Sequence, residues 1–278
     1  MIRLLVAALV AVCAIPNLAS AQLVIKNARP CYGPNGPTRT EATCLPRDTL
    51  FITYEIEGLK PNEKSKKVEY KTTLELWDVS DKDEKKHKRV FMDGPTPAEV
   101  LPQLGGGVVP GDLFVTMAEK QAPGKYKIRL IIEDKVGKTA KGFEYPFTVI
   151  EETLGFVGVA VPIVEIPGRF HRPNSFFLAN LTLDAKTKLP TAEVTVNVVD
   201  EKGNKVCDTL KDSYKDAKDL PEGVDLQKLN MLPLPYSIYL NRPGRYTVHV
   251  EAVDIKNNKK SVKLSYPLTV LDINNFTK

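Results

Sequence analysis

Histidine, tryptophan and cysteine are scarce, with three His, one Trp and four Cys in 278 residues. So few histidines leave little material for a metal centre, and no two of His87, His171 and His249 stand at a ligand spacing. His87 falls in the charged run DKDEKKHKR, read as a solvated turn, and His249 on an outward strand position. There is no Gly-x-Ser-x-Gly elbow and no His-Glu-x-x-His helix. The Gly-rich LGGGVVPGD from Leu104 lacks the Lys-Ser/Thr that makes such a turn a phosphate cradle. A dominant charge sign is also lacking. The 39 Lys and Arg are interleaved with 34 Asp and Glu, and a net charge of +5 suits solubility better than a one-sided nucleic-acid surface. Beyond the first residues no apolar run approaches the roughly 20 that a spanning helix needs. These absences predict a mature chain with no cofactor, no metal site, no catalytic residues, no nucleic-acid partner and no transmembrane segment.

What is present begins with a targeting signal. Arg3, the apolar run Leu4 to Ile15 and Ala19-Ser20-Ala21 make residues 1–21 a secretory signal peptide, cleaved after Ala21. The mature protein is therefore expected outside the cell, in a periplasm or on a cell surface. Loss of Arg3 lowers its net charge from +5 to +4.

An internal repeat organises the remainder. PGKYKIRLIIED from Pro123 matches PGRYTVHVEAVD from Pro243 in Pro-Gly, in Tyr126 against Tyr246 and in Asp134 against Asp254. YPFTV from Tyr145 answers YPLTV from Tyr266, TLELWD ending at Asp78 answers TVNVVD ending at Asp200, and LFITYEI from Leu50 answers FLANLTL from Phe177. The copies differ mainly in loop length, which predicts two domains, residues 22–150 and 151–278. Both alternate apolar and polar residues, as strands with one buried face do. Tyr126, Ile128, Leu130 and Ile132 point inward in the first copy, and Tyr246, Val248, Val250 and Ala252 in the second. Pro146 and Pro267 sit on the outward parity of the last strands, which predicts that those strands are edges. From Leu154, LGFVGVAVPIV predicts the opening strand of the second copy, with Pro162 forcing a switch or an edge.

Pro-Gly before each Tyr suits a type II turn. A Tyr at the start of the next-to-last strand is where an immunoglobulin-type sandwich places its tyrosine corner. On Pro123, Gly124 and Tyr126, and on Pro243, Gly244 and Tyr246, the chain resembles the tandem immunoglobulin-like (fibronectin-III-like) domains of secreted bacterial proteins. Ile128 and Val248 stand where an antibody domain has its second core cysteine. The resemblance implies an all-β fold of two tandem immunoglobulin-like sandwiches, with Tyr126 and Tyr246 as structural corners. It implies little about function, since sandwiches host many unrelated roles.

CYGPNGPTRTEATC, from Cys31 to Cys44, has no cysteine-bearing counterpart in the second copy, where VEIPGRFHRPNS takes its place. In an exported chain two cysteines this close predict a disulfide, stabilising by roughly 3 kcal/mol through loop closure. The loop reads as a staple, and Tyr32, Asn35 and Arg39 are its candidate ligand-binding residues. Cys207 is left as the odd thiol. His171 lies in GRFHRPN, read as a basic exposed loop, with an anion held by Arg169, Phe170 and Arg172 as the alternative. The expected function is a non-catalytic binding or assembly module that holds a protein or glycan at the cell envelope or outside the cell. A periplasmic assembly chaperone and an enzyme with a cross-strand site are the alternatives.

Overall fold

The computed structural model describes residues 22–101, 107–220 and 231–272; the predicted signal peptide lies outside them. The protein is all-β. Its first half contains β1 (Val24–Cys31), β2 (Thr43–Cys44), β3 (Thr49–Glu57), β4 (Val68–Asp78), β5 (Lys88–Val100), β6 (Val108–Thr116), β7 (Gly124–Asp134) and β8 (Thr139–Val149). These form a three-stranded sheet, β1-β3-β6, and a five-stranded one, β2-β8-β7-β4-β5. Neighbours are antiparallel except for the two-residue parallel pairing of β2 with β8. One apolar cluster joins the inner faces of both sheets, through Leu50, Ile52 and Ile56 of β3 and Ile128, Leu130 and Ile132 of β7. That is the packing of a β-sandwich. The inward positions of β7 are buried and Lys125, Arg129 and Glu133 are exposed, following the alternation in the sequence. Each buried Ile or Leu contributes roughly 1.5–3 kcal/mol relative to an exposed one.

The second half contains β9 (Gly155–Ala160), β10 (Val164–Glu165), β11 (Arg169–His171), β12 (Ser175–Ala179), β13 (Ala192–Asp200), β14 (Leu210–Tyr214), β15 (Met231–Pro233), β16 (Ile238–Leu240), β17 (Gly244–Asp254) and β18 (Lys260–Val270). Its sheets, β15-β12-β9 and β10-β18-β17-β13-β14, repeat the first half strand for strand once β11 and β16 are set aside. Those two strands pair with each other and form a separate ribbon. Pro162 lies between β9 in one sheet and β10 in the other, so the chain changes sheets there. β8 and β18 are edges for most of their length: β2 covers only Thr148 and Val149, and β10 only Thr269 and Val270. Pro146 and Pro267 fall on the uncovered part, where a missing N–H costs no ladder bond.

Two pairs of residues shared by the copies, a tyrosine and an aspartate, perform the same task in each. Tyr126 Oη donates to the carbonyl of Ala122 at 2.8 Å, and Tyr246 Oη to that of Arg242 at 2.8 Å, each reaching back four residues along the chain. Asp134 and Asp254, both buried, accept from backbone N–H groups of their own hairpin turns and of a distant loop. Asp134 serves Val136, Gly137 and Lys60; Asp254 serves Lys256, Asn257 and Thr182. The glycines differ from expectation. Gly244 has φ +150°, away from the value near +80° of a type II turn. Gly124 instead permits close approach, since a Cβ there would lie 2.3 Å from Ser80 Oγ, which accepts from Lys125 N at 3.0 Å.

The expected Cys31–Cys44 disulfide is absent, and both are free, buried thiols. Cys31 ends β1 opposite Phe51 in the three-stranded sheet, whereas Cys44 pairs with Val149 in the five-stranded one. The intervening loop carries the chain from one sheet to the other, so separate ladders hold its two ends. Burial pushes the Cys44 thiol up to about 12, with Arg39 opposing and Asp48 reinforcing the shift.

Candidate functional site

Ion pairing does the work anticipated for the disulfide. Arg39 donates from Nη2 to Asp48 Oδ2 at 2.7 Å and to the carbonyl of Thr43. Arg29 donates from Nη1 to the carbonyl of Gly36 at 3.0 Å and to Thr38 Oγ1 at 3.1 Å. Asp48, 1% exposed, also accepts at Oδ1 from Thr49 N at 2.8 Å and from Gly158 N at 2.9 Å. Gly158 belongs to β9, so a single carboxylate fastens the loop to the second half. Tyr32 packs against the apolar cluster of the second half, beneath Arg39 at 5.6 Å, and its carbonyl accepts from Val161 N at 3.1 Å. A Cβ on Gly33, at φ +95°, would meet Ala160 at 3.0 Å. Leu45 joins Val157 and Ala179 in a small buried cluster across the same joint. Of the three loop residues singled out in the sequence, Tyr32 and Arg39 thus lie in the joint. Asn35 is exposed at the tip, with φ +51° in a turn closed by Gly36 N to the carbonyl of Gly33.

An open apolar groove lies on the other side of the first half. The three-stranded sheet ends at β6 and the five-stranded sheet at β5, and these two edges stand apart around a cavity of about 660 Å³. Leu74, Leu76, Leu113 and Leu130 line its interior; Phe91, Phe114, Asp93 and Asp112 are at its rim. The apolar rim is unusually open to solvent, with Phe114 59%, Val90 49% and Phe91 49% exposed. Three successive large apolar residues, Val90, Phe91 and Met92, are exposed on β5, so both faces of this edge carry them. Tyr54 crosses the floor over Gly111, its cross-strand neighbour, where a Cβ would lie 2.5 Å from the ring. Burial pushes the Tyr54 hydroxyl well above the usual range, and Tyr70 and Asp112 reinforce the shift. Sequence reasoning missed this site. Its one signal was VFM, an unbroken apolar triplet in a stretch otherwise rich in charge and proline.

A smaller opening in the second half, about 300 Å³, lies between β14 and the segment that follows β15, and Tyr214 and Tyr236 line it. Nearby, His171 is 1% exposed, so it does not sit on the solvated loop expected for it. It faces inward from β11, opposite Ile238 of β16, while Phe170 on the other parity pairs with Tyr239 and is exposed. Its Nδ1 lies 3.1 Å from Glu165 Oε1 and its Nε2 2.8 Å from Tyr266 Oη, which is 2.7 Å from Tyr236 Oη. With Nδ1–H donating to Glu165, Nε2 accepts from Tyr266, whose oxygen then accepts from Tyr236, so every member of the chain is satisfied. Burial depresses the His171 pKa, and the Glu165 carboxylate offsets this in part. His249 is exposed, with Nδ1 2.7 Å from Ser265 Oγ, and His87 closes a short 3₁₀ turn between β4 and β5. Cys207 is a free, half-buried thiol that burial shifts upward. Among the described residues no group of three or more His, Cys, Asp or Glu is placed to hold a metal ion, and no helix is long and apolar enough to cross a membrane.

No protein-family model matches the chain, and no curated protein matches it. Among solved structures it is similar to dimeric latent PorU from Porphyromonas gingivalis, at 13% identity and a TM-score of 0.34. That match covers 90% of this chain and 20% of the PorU chain.

Proposed function

We propose that this protein is an exported, non-catalytic binding module of two tandem immunoglobulin-like sandwiches, and that the groove between β5 and β6 holds an extended segment of a protein partner. The groove's geometry carries the reading. Its volume falls in the range of roughly 300–1,000 Å³ typical of ligand sites. Its two walls end in edge strands whose unpaired backbone groups are best satisfied by another backbone. Apolar side chains at alternate positions of such a segment would enter between Leu74, Leu113 and Leu130, while its outer parity meets Phe91 and Phe114. Among the described residues, Asp93 and Asp112 are the only charged ones lining the groove, which favours a segment carrying Lys or Arg beside its apolar positions. Tyr32 and Arg39 then act in joining the two halves rather than in recognition.

Peptide display on the immobilised mature chain tests this reading, with the double variant Phe91→Glu/Phe114→Glu as the comparison. Both residues are well exposed, so the variant should fold. Enriched peptides should alternate apolar residues, carry a basic residue, and bind the variant at least about tenfold more weakly. Enrichment of peptides that bind both proteins equally, or groove occupancy by a fatty acid alone, would overturn it. An assembly chaperone would use the same edge, and it would be distinguished by binding unfolded clients without a sequence preference.

A further inference from the structure

We infer that the β11–β16 ribbon is a carbohydrate-binding platform for acidic sugars, a site independent of the groove in the first half. Among the described residues the ribbon has no counterpart in the first half. Its inward residues, His171, Ile238 and Leu240, are buried; its outward residues, Phe170 and Tyr239, form a direct cross-strand pair. Their rings lie 5.2 Å apart, tilted by 51°, and are 54% and 52% exposed. Arg172 stands 5.5 Å from the centre of the Phe170 ring, and its Nε donates to Ser237 Oγ at 2.9 Å, which holds the guanidinium beside the aromatic pair. Arg169 is also exposed, at the start of β11, but on the parity of His171 rather than that of Phe170. Residues 167–173 and 236–242 contain three arginines and no Asp or Glu. Among the described residues neither Arg169 nor Arg172 has a carboxylate within salt-bridge distance.

The chemistry this arrangement recognises has an apolar face and an anion. An acidic pyranose presents both, with its C–H face stacking on an aromatic ring and its carboxylate meeting an arginine fork. Size separates a sugar from a protein partner. Half-exposed, the two rings offer on the order of 200 Å² together, far below the roughly 800 Å² per partner of a standard protein interface. The platform is also rigid from beneath, since His171 is held at both ring nitrogens by Glu165 and Tyr266. Ligand recognition by a two-stranded ribbon requires such support.

Isothermal titration of the mature chain with trigalacturonate and sialyllactose tests the assignment, using the methyl ester of trigalacturonate as the neutral control. Saturable binding of at least one acidic sugar is expected, weakened about tenfold or more by Phe170→Ala and by Tyr239→Ala. Arg172→Gln should remove the preference for acid over ester while leaving the ester's weak binding unchanged. Both rings being exposed, thermal unfolding of these variants should match that of the parent. Absence of saturable binding, binding unaffected by the three substitutions, or equal competition by phosphate or a poly-glutamate peptide would overturn the proposal.

Discussion

Replacing Asp48 with asparagine removes one negative charge from a site where it satisfies three donors. The Asp48 side chain is 2% exposed and the Arg39 side chain 11%. Taking one partner from a buried ion pair costs roughly 3–5 kcal/mol, because the remaining charge stays desolvated. The slight exposure of Arg39 lets water reach it and places the expected loss near the lower bound, about 3 kcal/mol. Arg39→Met leaves Asp48 with its two backbone donors, Thr49 N and Gly158 N, and should cost about 2 kcal/mol. The double variant buries no unpaired charge on the arginine side, so its cost should fall short of the sum by about 2 kcal/mol. Urea unfolding provides the measurement, with hydrogen exchange at Gly158 N as the local readout. Asp48→Asn should speed exchange at that amide and split the unfolding curve into two transitions as the halves uncouple. Single costs below about 1 kcal/mol, or strictly additive costs, would refute the view that this carboxylate fastens the joint.

Thiol state gives a second prediction: under non-reducing conditions the mass of the mature chain should match that of three free thiols, and Cys31 and Cys44 should resist alkylation until the chain unfolds. A mass lower by two hydrogens would show the bridge that the sheets keep apart. The pH dependence follows from His171, whose folded pKa is depressed, so the unfolded chain binds its proton first and stability falls as pH drops below the unfolded value of about 6.5. The loss, at most about 1.4 kcal/mol per pH unit, should appear as a drop in Tm between pH 7 and 5 that is smaller in His171→Gln. Asp134→Ala and Asp254→Ala each strand backbone donors in two segments and should cost about 2–4 kcal/mol in chemical denaturation. Gly111→Val should drive the Tyr54 ring from the groove floor and weaken groove-binding peptides more than it lowers Tm.

Much of the fold was legible because the relevant signals are local. The alternation of β7 and β17 reports which face is buried wherever a strand has one wet side. The outward prolines marked β8 and β18 as edges because a missing N–H is tolerated where no neighbour needs it. Pro162 marked a change of sheet for the same reason. The GRFHRPN segment was harder. Two arginines and a proline suggested a solvated loop, yet pairing with β16 set the parity and turned His171 inward. Tyr239, the ring opposite Phe170, lies 69 residues away in sequence and no local pattern connects the two.

Taken alone, the sequence determined the all-β character and the inward faces of the central strands, which depend on neighbours two or a few residues apart, and the internal repeat and near balance of charge, which can be read along the chain without knowing what touches what. Tertiary structure decided which residues meet across long separations. It put Cys31 and Cys44 on different sheets, delegated the closing of their loop to Arg39 and Asp48, and left β5 and β6 apart as the walls of a groove. Those outcomes depend on the stacking of one sheet on another and on where each sheet stops, and neither has a period that a linear chain can display.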